Sequence, residues 1–289
     1  MKALTSIGTS TQICAIIGNP VAHSLSPTIH NAAFAELDLD FVYVAFRVED
    51  VKHTLLGMRA MDNFRGMSVT IPHKIEAMKY LDEISDVDRH IGSINTIINE
   101  KGRLVGIGTD GPGALKAIVD AGIELAGHNI LLLGSGGAAR AIAFTLACDA
   151  RPAQLAILDI NEAILQDLAS DLKAGTDVPI KSDKLSPVSL AALIRDAYLI
   201  INCTPVGMHP NEDVSLIPAE LLNPDQVIFD IVYTPLETKL CTEAKARGLK
   251  VIRGVDMFIN QAVLQFERFT GVDAPDKVMR RVIMEHFAS

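Results

Sequence analysis

The segment Ile130-Leu131-Leu132-Leu133 is an aliphatic run that enters the turn Gly134-Ser135-Gly136-Gly137-Ala138-Ala139. Its spacing fits G-x-G-x-x-[G/A], with Ala139 in the third position. Gly134 permits a tight turn, Gly136 lets the backbone approach a pyrophosphate, and Ala139 is small enough for a helix to pack on a strand. Amides at the start of the next helix, around Gly137 and Ala138, favour an anion. A second aliphatic run, Leu155–Leu158, ends at Asp159, 25 residues after Gly134 and near the usual place of the acid that binds a ribose 2′-hydroxyl. A carboxylate there accepts hydrogen bonds from the ribose of NAD and repels a 2′-phosphate. NAD is therefore expected over NADP, with Arg151 the nearby cation that keeps NADP open. The plainer alternative is an ordinary α/β turn with Asp159 at a helix N-cap.

Other residues could bear chemistry near the N-terminus. Ser24 and Ser26 stand just before Pro27, which would start a helix. Their hydroxyls could bind a carboxylate or cap that helix, and capping is the commoner use of such a pair. In Ser68-Val69-Thr70-Ile71-Pro72-His73-Lys74, the lysine could equally be a solvated helix residue, and in Thr109-Asp110-Gly111 the aspartate could be a turn residue.

Short aliphatic runs alternating with amphipathic stretches must position these groups. The alternation predicts an α/β protein with mostly parallel strands. Strands are expected at Ile13–Gly18, Phe41–Phe46 and Met67–Thr70, with helices at Pro27–Leu37, Val51–Met61 and Lys74–Leu81. Asn95–Ile107 reads as two short strands joined at Asn99-Glu100-Lys101-Gly102. After Asp110, strands are expected at Asn129–Leu133, Leu155–Leu158, Leu199–Asn202, Val227–Ile231 and Lys250–Ile252. Helices are expected at Pro112–Ala121, Gly137–Ala150, Asn161–Lys173 and Glu237–Arg247. That is the βαβαβ order of a nucleotide-binding sheet. Two final helices, Asp256–Phe269 and Pro275–Phe287, have no strand after them and should pack back onto structure already formed.

Composition excludes several function classes. With 289 residues the chain is long enough for two α/β domains, and 49% hydrophobic against 21% charged residues describes a packed globular protein. A net charge of -9 with no Lys/Arg-rich run argues against nucleic acid as a partner. No apolar stretch reaches the roughly 20 residues of a membrane span. Met1–Thr11 is polar and lacks a signal-peptide core. Cys14, Cys148, Cys203 and Cys241 are far apart and read as buried or half-buried free thiols, which favours the cytoplasm. His23 and His30 lack helical metal-site spacing, so no metal is expected. Monomer and homodimer both remain open, the symmetric dimer being the commonest assembly.

Taken together and in order, Gly18–Asn31, Ser68–Lys74, Gly92–Thr96 and Thr109–Gly111 closely resemble the shikimate/quinate dehydrogenase family. The resemblance continues through Asn202–Met208, Asp230–Pro235 and Gly254–Ala262, covering about residues 13 to 271. It implies two α/β domains with a cleft between them: a substrate domain at 1–110 plus 259–289, and a Rossmann dinucleotide-binding domain at 111–258. It implies Lys74 and Asp110 as the catalytic pair, and Ser24 and Ser26 as the serines that bind the substrate carboxylate. Thr70, Asn95 and Gln261 match positions that bond ring hydroxyls, and Tyr233 one near the carboxylate. Gly254 and Met257 match positions beside the nicotinamide, and Thr204 joins Gly134, Gly136, Gly137, Ala138 and Asp159 in the cofactor set. The implied substrate is a polyhydroxy cyclohexane or cyclohexene carboxylate: shikimate, with quinate alongside it or as the main substrate. In the implied reaction, hydride passes between the nicotinamide and a ring carbon while Lys74 handles the proton of its oxygen and Asp110 bonds both Lys74 and a substrate hydroxyl.

The chain departs from the commoner family pattern in three places. Gly108 stands where Asn is frequent and is expected to loosen the loop carrying Asp110. Ser68 also replaces Asn, a milder change because Ser still hydrogen-bonds. The basic clasp that many members use for a 2′-phosphate is here Asp159-Ile160-Asn161, in line with NAD. From another class, a ligand-sensing module that kept the fold would be expected to lose Lys74, Asp110 or the glycine turn, and all are present.

Overall fold

The structure, a computed structural model, describes residues 7–288. The polar N-terminal stretch noted above therefore lies largely outside the described residues. The chain divides into two α/β units, one of residues 1–109 with 261–289 and one of residues 110–260. Asp110 thus groups with the second unit.

In the first unit, β1 (Gln12–Gly18) is buried along most of its length and pairs in parallel with β2 (Phe41–Arg47) and β3 (Phe64–Val69). An antiparallel hairpin follows, β5 (Thr96–Glu100) and β6 (Arg103–Ile107). It turns at Lys101 and Gly102, both at positive φ, as a two-residue hairpin with right-handed strand twist requires. With the short β4 (Glu83–Ile84), the sheet order is β2-β1-β3-β5-β6-β4. Most of its pairings are parallel, as expected, and the antiparallel ones are those of β5, because a tight hairpin can only join antiparallel strands.

α1 (Ser26–Glu36) and α2 (Val51–Arg59) cross between the first strands, and Asp50 caps α2 by accepting the His53 amide at 3.0 Å. The expected helix at Lys74–Leu81 is a single turn, α3 (His73–Glu76), followed by a tighter 3₁₀ turn over Ala77–Tyr80. A further helix, α4 (Asp86–Ile91), gave no periodic signal because it is less than two turns long.

In the second unit all six strands are parallel. They are β7 (Asn129–Leu133), β8 (Gln154–Asp159), β9 (Ile180–Lys184), β10 (Leu199–Asn202), β11 (Val227–Asp230) and β12 (Lys250–Arg253). Their order, β12-β11-β10-β7-β8-β9, is that of a doubly wound dinucleotide-binding sheet, with its switch point between β7 and β10. The central strands are buried on both faces, which explains their continuous aliphatic runs. β9 is an edge strand of sequence Ile-Lys-Ser-Asp-Lys, too polar to read as a strand.

Around this sheet lie α5 (Asp110–Asp120), α6 (Gly137–Thr145), α7 (Glu162–Gly175), α8 (Pro187–Ile194) and α9 (Lys239–Ala246). α6 is shorter than the expected Gly137–Ala150: it opens into a wider turn over Leu146–Ala150 and stops at Arg151, whose φ is 48°. Cys14 and Cys241 are buried and Cys203 is half-buried, but Cys148, in that wider turn, is exposed.

α10 (Gly254–Thr270) begins in the second unit and ends in the first, and α11 (Asp276–Ala288) packs on α1. The last turns of α10 build an aromatic cluster. His30 stacks on Tyr43 at 4.4 Å, and Phe266 and Phe269 lie close by. Burial pushes the His30 pKa down to about 3, against a smaller opposing effect of Gln265, so the ring stays neutral at ordinary pH. Gly66 on β3 makes room for this cluster: a Cβ there would sit 2.5 Å from the Phe269 ring and 2.7 Å from the Ile97 carbonyl oxygen. Gly66→Ala is therefore expected to destabilise the protein by about 1–3 kcal/mol, seen as a lowered urea midpoint. An unchanged midpoint would mean that α10 shifts away freely.

Candidate active site

In the first unit, α3 presents Lys74. His73 anchors the turn, being buried with its Nε2 2.8 Å from the Val48 carbonyl oxygen, and its amide donates to the Thr70 carbonyl at 3.0 Å. The Lys74 carbonyl accepts the Ile94 amide at 3.1 Å, which ties the lysine's backbone to the residue that precedes Asn95. Lys74 and Thr70 are half-buried.

Asn95 is the hub of a buried polar cluster. Its Oδ1 accepts the Thr109 amide at 2.8 Å and the Thr96 hydroxyl at 3.0 Å, while its Nδ2 donates to Thr109 Oγ1 at 2.9 Å and to Gln261 Oε1 at 3.5 Å. A chain of bonds continues behind it. Tyr43 donates to Ser68 Oγ at 2.6 Å, Ser68 to Gln265 Oε1 at 2.8 Å, and Gln265 Nε2 to Thr96 Oγ1 at 2.9 Å. Ser68 keeps both a donor and an acceptor role where Asn is commoner. Tyr43, Thr96 and Gln265 join this cluster without having been singled out in the sequence. Each looks like an ordinary core or helix position until the fold juxtaposes them.

Ser24 Oγ accepts the Ser26 amide at 3.3 Å, so it does take up a free amide at the start of α1. The residue at the N-cap position, however, is Leu25, which offers no side-chain cap. Ser26 is 3% exposed, with its hydroxyl turned to the Tyr43 phenol. The structure thus gives the two serines different surroundings: one capping and half-exposed, one buried within the polar network.

The loop at Gly108, expected to be loose, is bonded on both of its amides. The Gly108 amide donates to the Asp88 carboxylate at 3.1 Å, and the next amide is held by Asn95. Asp110 follows directly as the first residue of α5.

In the second unit, Gly134 sits at the switch point with φ of 105°. A Cβ there would be strained by this backbone conformation and tight against the Cys203 carbonyl and the Thr204 methyl, both at 3.1 Å. Ser135 donates its amide and its hydroxyl to Asp159 Oδ2 at 2.6 and 2.7 Å, and Asp159 Oδ1 accepts the Asn161 amide at 2.8 Å. The helix N-cap is Asn161, not Asp159. Gly136 and Gly137 are exposed, with nothing within 4 Å of an added Cβ, and Ala138 is half-buried beside them. This open glycine edge at a helix start fits a dinucleotide pyrophosphate. Arg151 cannot reach Asp159: it precedes β8, and the whole strand, at about 3.3 Å per residue, lies between them. The cation next to Asp159 in register is Lys184, which pairs with Glu162 at 2.7 Å.

Thr204 is pinned by Asn202, whose Oδ1 accepts its amide at 3.1 Å and its hydroxyl at 2.7 Å. Asn202 donates in turn to the fully buried Asp230, which also accepts from the Val232 amide and the Thr238 hydroxyl. Burial raises the Asp230 pKa, with these donors opposing the shift. Tyr233 stacks on Phe258 with centroids 4.9 Å apart. Burial raises its pKa, and the charge of Asp110 adds to the rise. Gly254 opens α10 with no room for a Cβ, which would lie 2.4 Å from the Ile231 oxygen, and Met257 is buried one turn on. Ser24, Ser26, Thr70, Lys74, Asn95 and Gln261 thus belong to the first unit, whereas Asp110, Tyr233 and the nucleotide-loop residues belong to the second. Among the described residues no cluster of His, Cys, Asp or Glu is arranged to hold a metal, and no helix is long and apolar enough to cross a membrane.

The fold and the glycine edge define a two-unit α/β protein of the dinucleotide-binding class. The family described as shikimate dehydrogenase substrate binding domain matches residues 16–97, and the shikimate 5'-dehydrogenase C-terminal domain matches residues 254–284. Shikimate dehydrogenase (NADP(+)) of Methanosarcina mazei is 42% identical over 279 residues, which is 95% of this chain and 98% of that protein. The crystal structure of shikimate 5-dehydrogenase from Listeria monocytogenes in complex with shikimate and NAD superposes with a TM-score of 0.92 at 33% identity, covering 98% of this chain and all of that one. The Thermus thermophilus enzyme in complex with NADP(H) and shikimate gives 0.84 at 35% identity, over 95% of this chain and 99% of that one. The chain belongs to the shikimate dehydrogenase family.

Replacing Gln265 by Leu would leave the Ser68 hydroxyl without its acceptor and Thr96 without a donor. A loss of about 1–3 kcal/mol is expected, measured by urea unfolding. Full stability would show that the relay from Tyr43 to Asn95 is dispensable for folding.

Proposed function

We propose that this chain catalyses reversible hydride transfer between a nicotinamide dinucleotide and shikimate/3-dehydroshikimate, with NAD preferred over NADP. The observation that carries the substrate reading is the buried cluster of Asn95, Thr109 and Gln261 in the same unit as Lys74, Ser24 and Ser26. Amide and hydroxyl groups held by each other offer preorganised partners to a polyhydroxylated ring; Ser24, half-buried, offers a hydroxyl to its carboxylate, and Ser26 would join it by turning from Tyr43. The names of the M. mazei, L. monocytogenes and T. thermophilus relatives support the same substrate.

When bound, the dinucleotide supplies or accepts the hydride. Gly134, Gly136, Gly137, Ala138 and Thr204 would hold its phosphates and nearby groups, and Gly254 and Met257 would line the nicotinamide. Lys74 handles the proton: its ammonium donates to the ring oxygen during reduction, and its neutral amine takes that proton during oxidation. A cation at that oxygen also stabilises developing alkoxide charge. By the family resemblance, Asp110 would bond a substrate hydroxyl next to the reacting carbon, and Tyr233 would serve the carboxylate.

The NAD reading rests on Asp159. Its carboxylate ends β8, Arg151 lies a whole strand away, and Lys184 beside it pairs with Glu162. The M. mazei relative is named for NADP(+), so this chain is expected to differ from it in cofactor.

Reduced-nicotinamide absorbance should rise with shikimate and NAD, and much less with NADP; quinate is the comparison substrate. Lys74→Ala should lower kcat by about 10²–10⁴-fold with cofactor affinity retained. Near-normal turnover in that variant would overturn the role of Lys74. Asp159→Asn removes the charge together with one of the two accepting oxygens, so the ratio of NAD to NADP efficiency should fall by about tenfold or more, the scale of one charged hydrogen bond. A wild-type preference for NADP would overturn the cofactor reading alone and give the 2′-phosphate to Lys184.

A further inference from the structure

The side chains at 88 and 108 compete for one space. Asp88, near the start of α4, is 8% exposed. Its Oδ2 accepts the Ser85 hydroxyl at 2.7 Å, and its Oδ1 accepts the Gly108 amide at 3.1 Å. A Cβ built on Gly108 would lie 2.6 Å from that same Oδ1, well inside van der Waals contact. The carboxylate therefore fills the volume that a side chain at 108 would occupy, and it bonds the amide that such a side chain would cover. Thr109 is then gripped by Asn95 through its amide and its hydroxyl, and Asp110 begins α5. Two successive peptides leading to Asp110 are each fixed by a buried side-chain oxygen, one from α4 and one from the residue preceding β5. Burial raises the Asp88 pKa against the pull of the Ser85 and Gly108 donors, as expected of a carboxyl committed to a dry site.

We propose that Asp88 is a positioning residue for the reaction: its side chain takes the place of one missing at Gly108 and sets the peptide path into Asp110. This rests on the reading of Asp110 as a group that meets the substrate. The assignment predicts reciprocity, because one side chain in this space is enough and two are too many.

The experiment is a double-mutant cycle of Asp88→Ala and Gly108→Asn, read by steady-state kinetics with shikimate and by hydrogen exchange of the 105–110 segment. Asp88→Ala should lower kcat by roughly tenfold or more, since a small misplacement of a reacting group costs up to about a hundredfold, with KM for the cofactor unchanged. It should also speed exchange at Gly108. Gly108→Asn alone should be worse, through its clash with Asp88, and in a variant that fails to fold this appears as loss of soluble protein. The double variant should fold, and should recover kcat and protection beyond the product of the single effects. Independent effects, or an Asp88→Ala variant with normal kcat and normal exchange, would overturn the proposal. If Asp110→Asn leaves turnover unchanged, the reading of Asp110 fails instead. The coupling of 88 to 108 is then decided by exchange and stability alone, and additivity there would overturn it too.

Discussion

The amide side chain of Asn95 is the interaction on which the first unit depends. It sits where three segments meet: the start of β5, the loop that leaves β6, and α10 with Gln261. A buried amide has to find partners for both of its ends or cost folding energy, and here it finds them on segments far apart in sequence. Where Phe266 and Phe269 seat α10 on the N-terminal sheet, Asn95 meets Gln261 and gathers hydroxyl and amide groups into one cluster. The same bonds that stabilise the fold hold these groups in fixed orientations. Tyr43, Ser68, Gln265 and Thr96 extend the set behind it, so that the polar interior is a connected network and not a group of isolated buried donors.

Asp159 plays the corresponding part in the second unit. Its carboxylate already receives the Ser135 amide and hydroxyl, and the Asn161 amide. These bonds stiffen the glycine turn from below and leave Gly136 and Gly137 open above it. The charge that would distinguish a ribose hydroxyl from a phosphate is thus also a structural tie of the loop. A change of cofactor by substitution at Asp159 has to replace that tie as well as the charge.

Much of the architecture was legible in the residue pattern. The long aliphatic strands β7, β10 and β11 and the glycine turn identify the doubly wound sheet, because strands buried on both faces must be apolar throughout. The hairpin at Lys101-Gly102 was legible from its turn residues. Elements whose stability comes from neighbours were not. β9 is polar and held along one edge, α4 is less than two turns, and the π-like turn after α6 breaks a sequence that reads as continuous helix. Within the candidate site, Lys74, Asn95 and Asp159 stood out by type and context, while Tyr43, Thr96, Gln265 and Asp88 carried no local mark.

By itself the sequence determined the class of fold, the glycine turn and its acid, and the family, since these depend on residue type, period and short-range spacing. Only the tertiary structure decided how the departures from the family pattern are accommodated. Read along the chain, Gly108 is a loss of restraint. In the folded unit it is the space that Asp88 fills, and the loop is held. Likewise Arg151 looks close to Asp159 in sequence, and the intervening strand puts it out of reach. The physical reason is the same in both cases: volume exclusion and hydrogen-bond partnership act between groups that are close in space, and sequence separation measures neither.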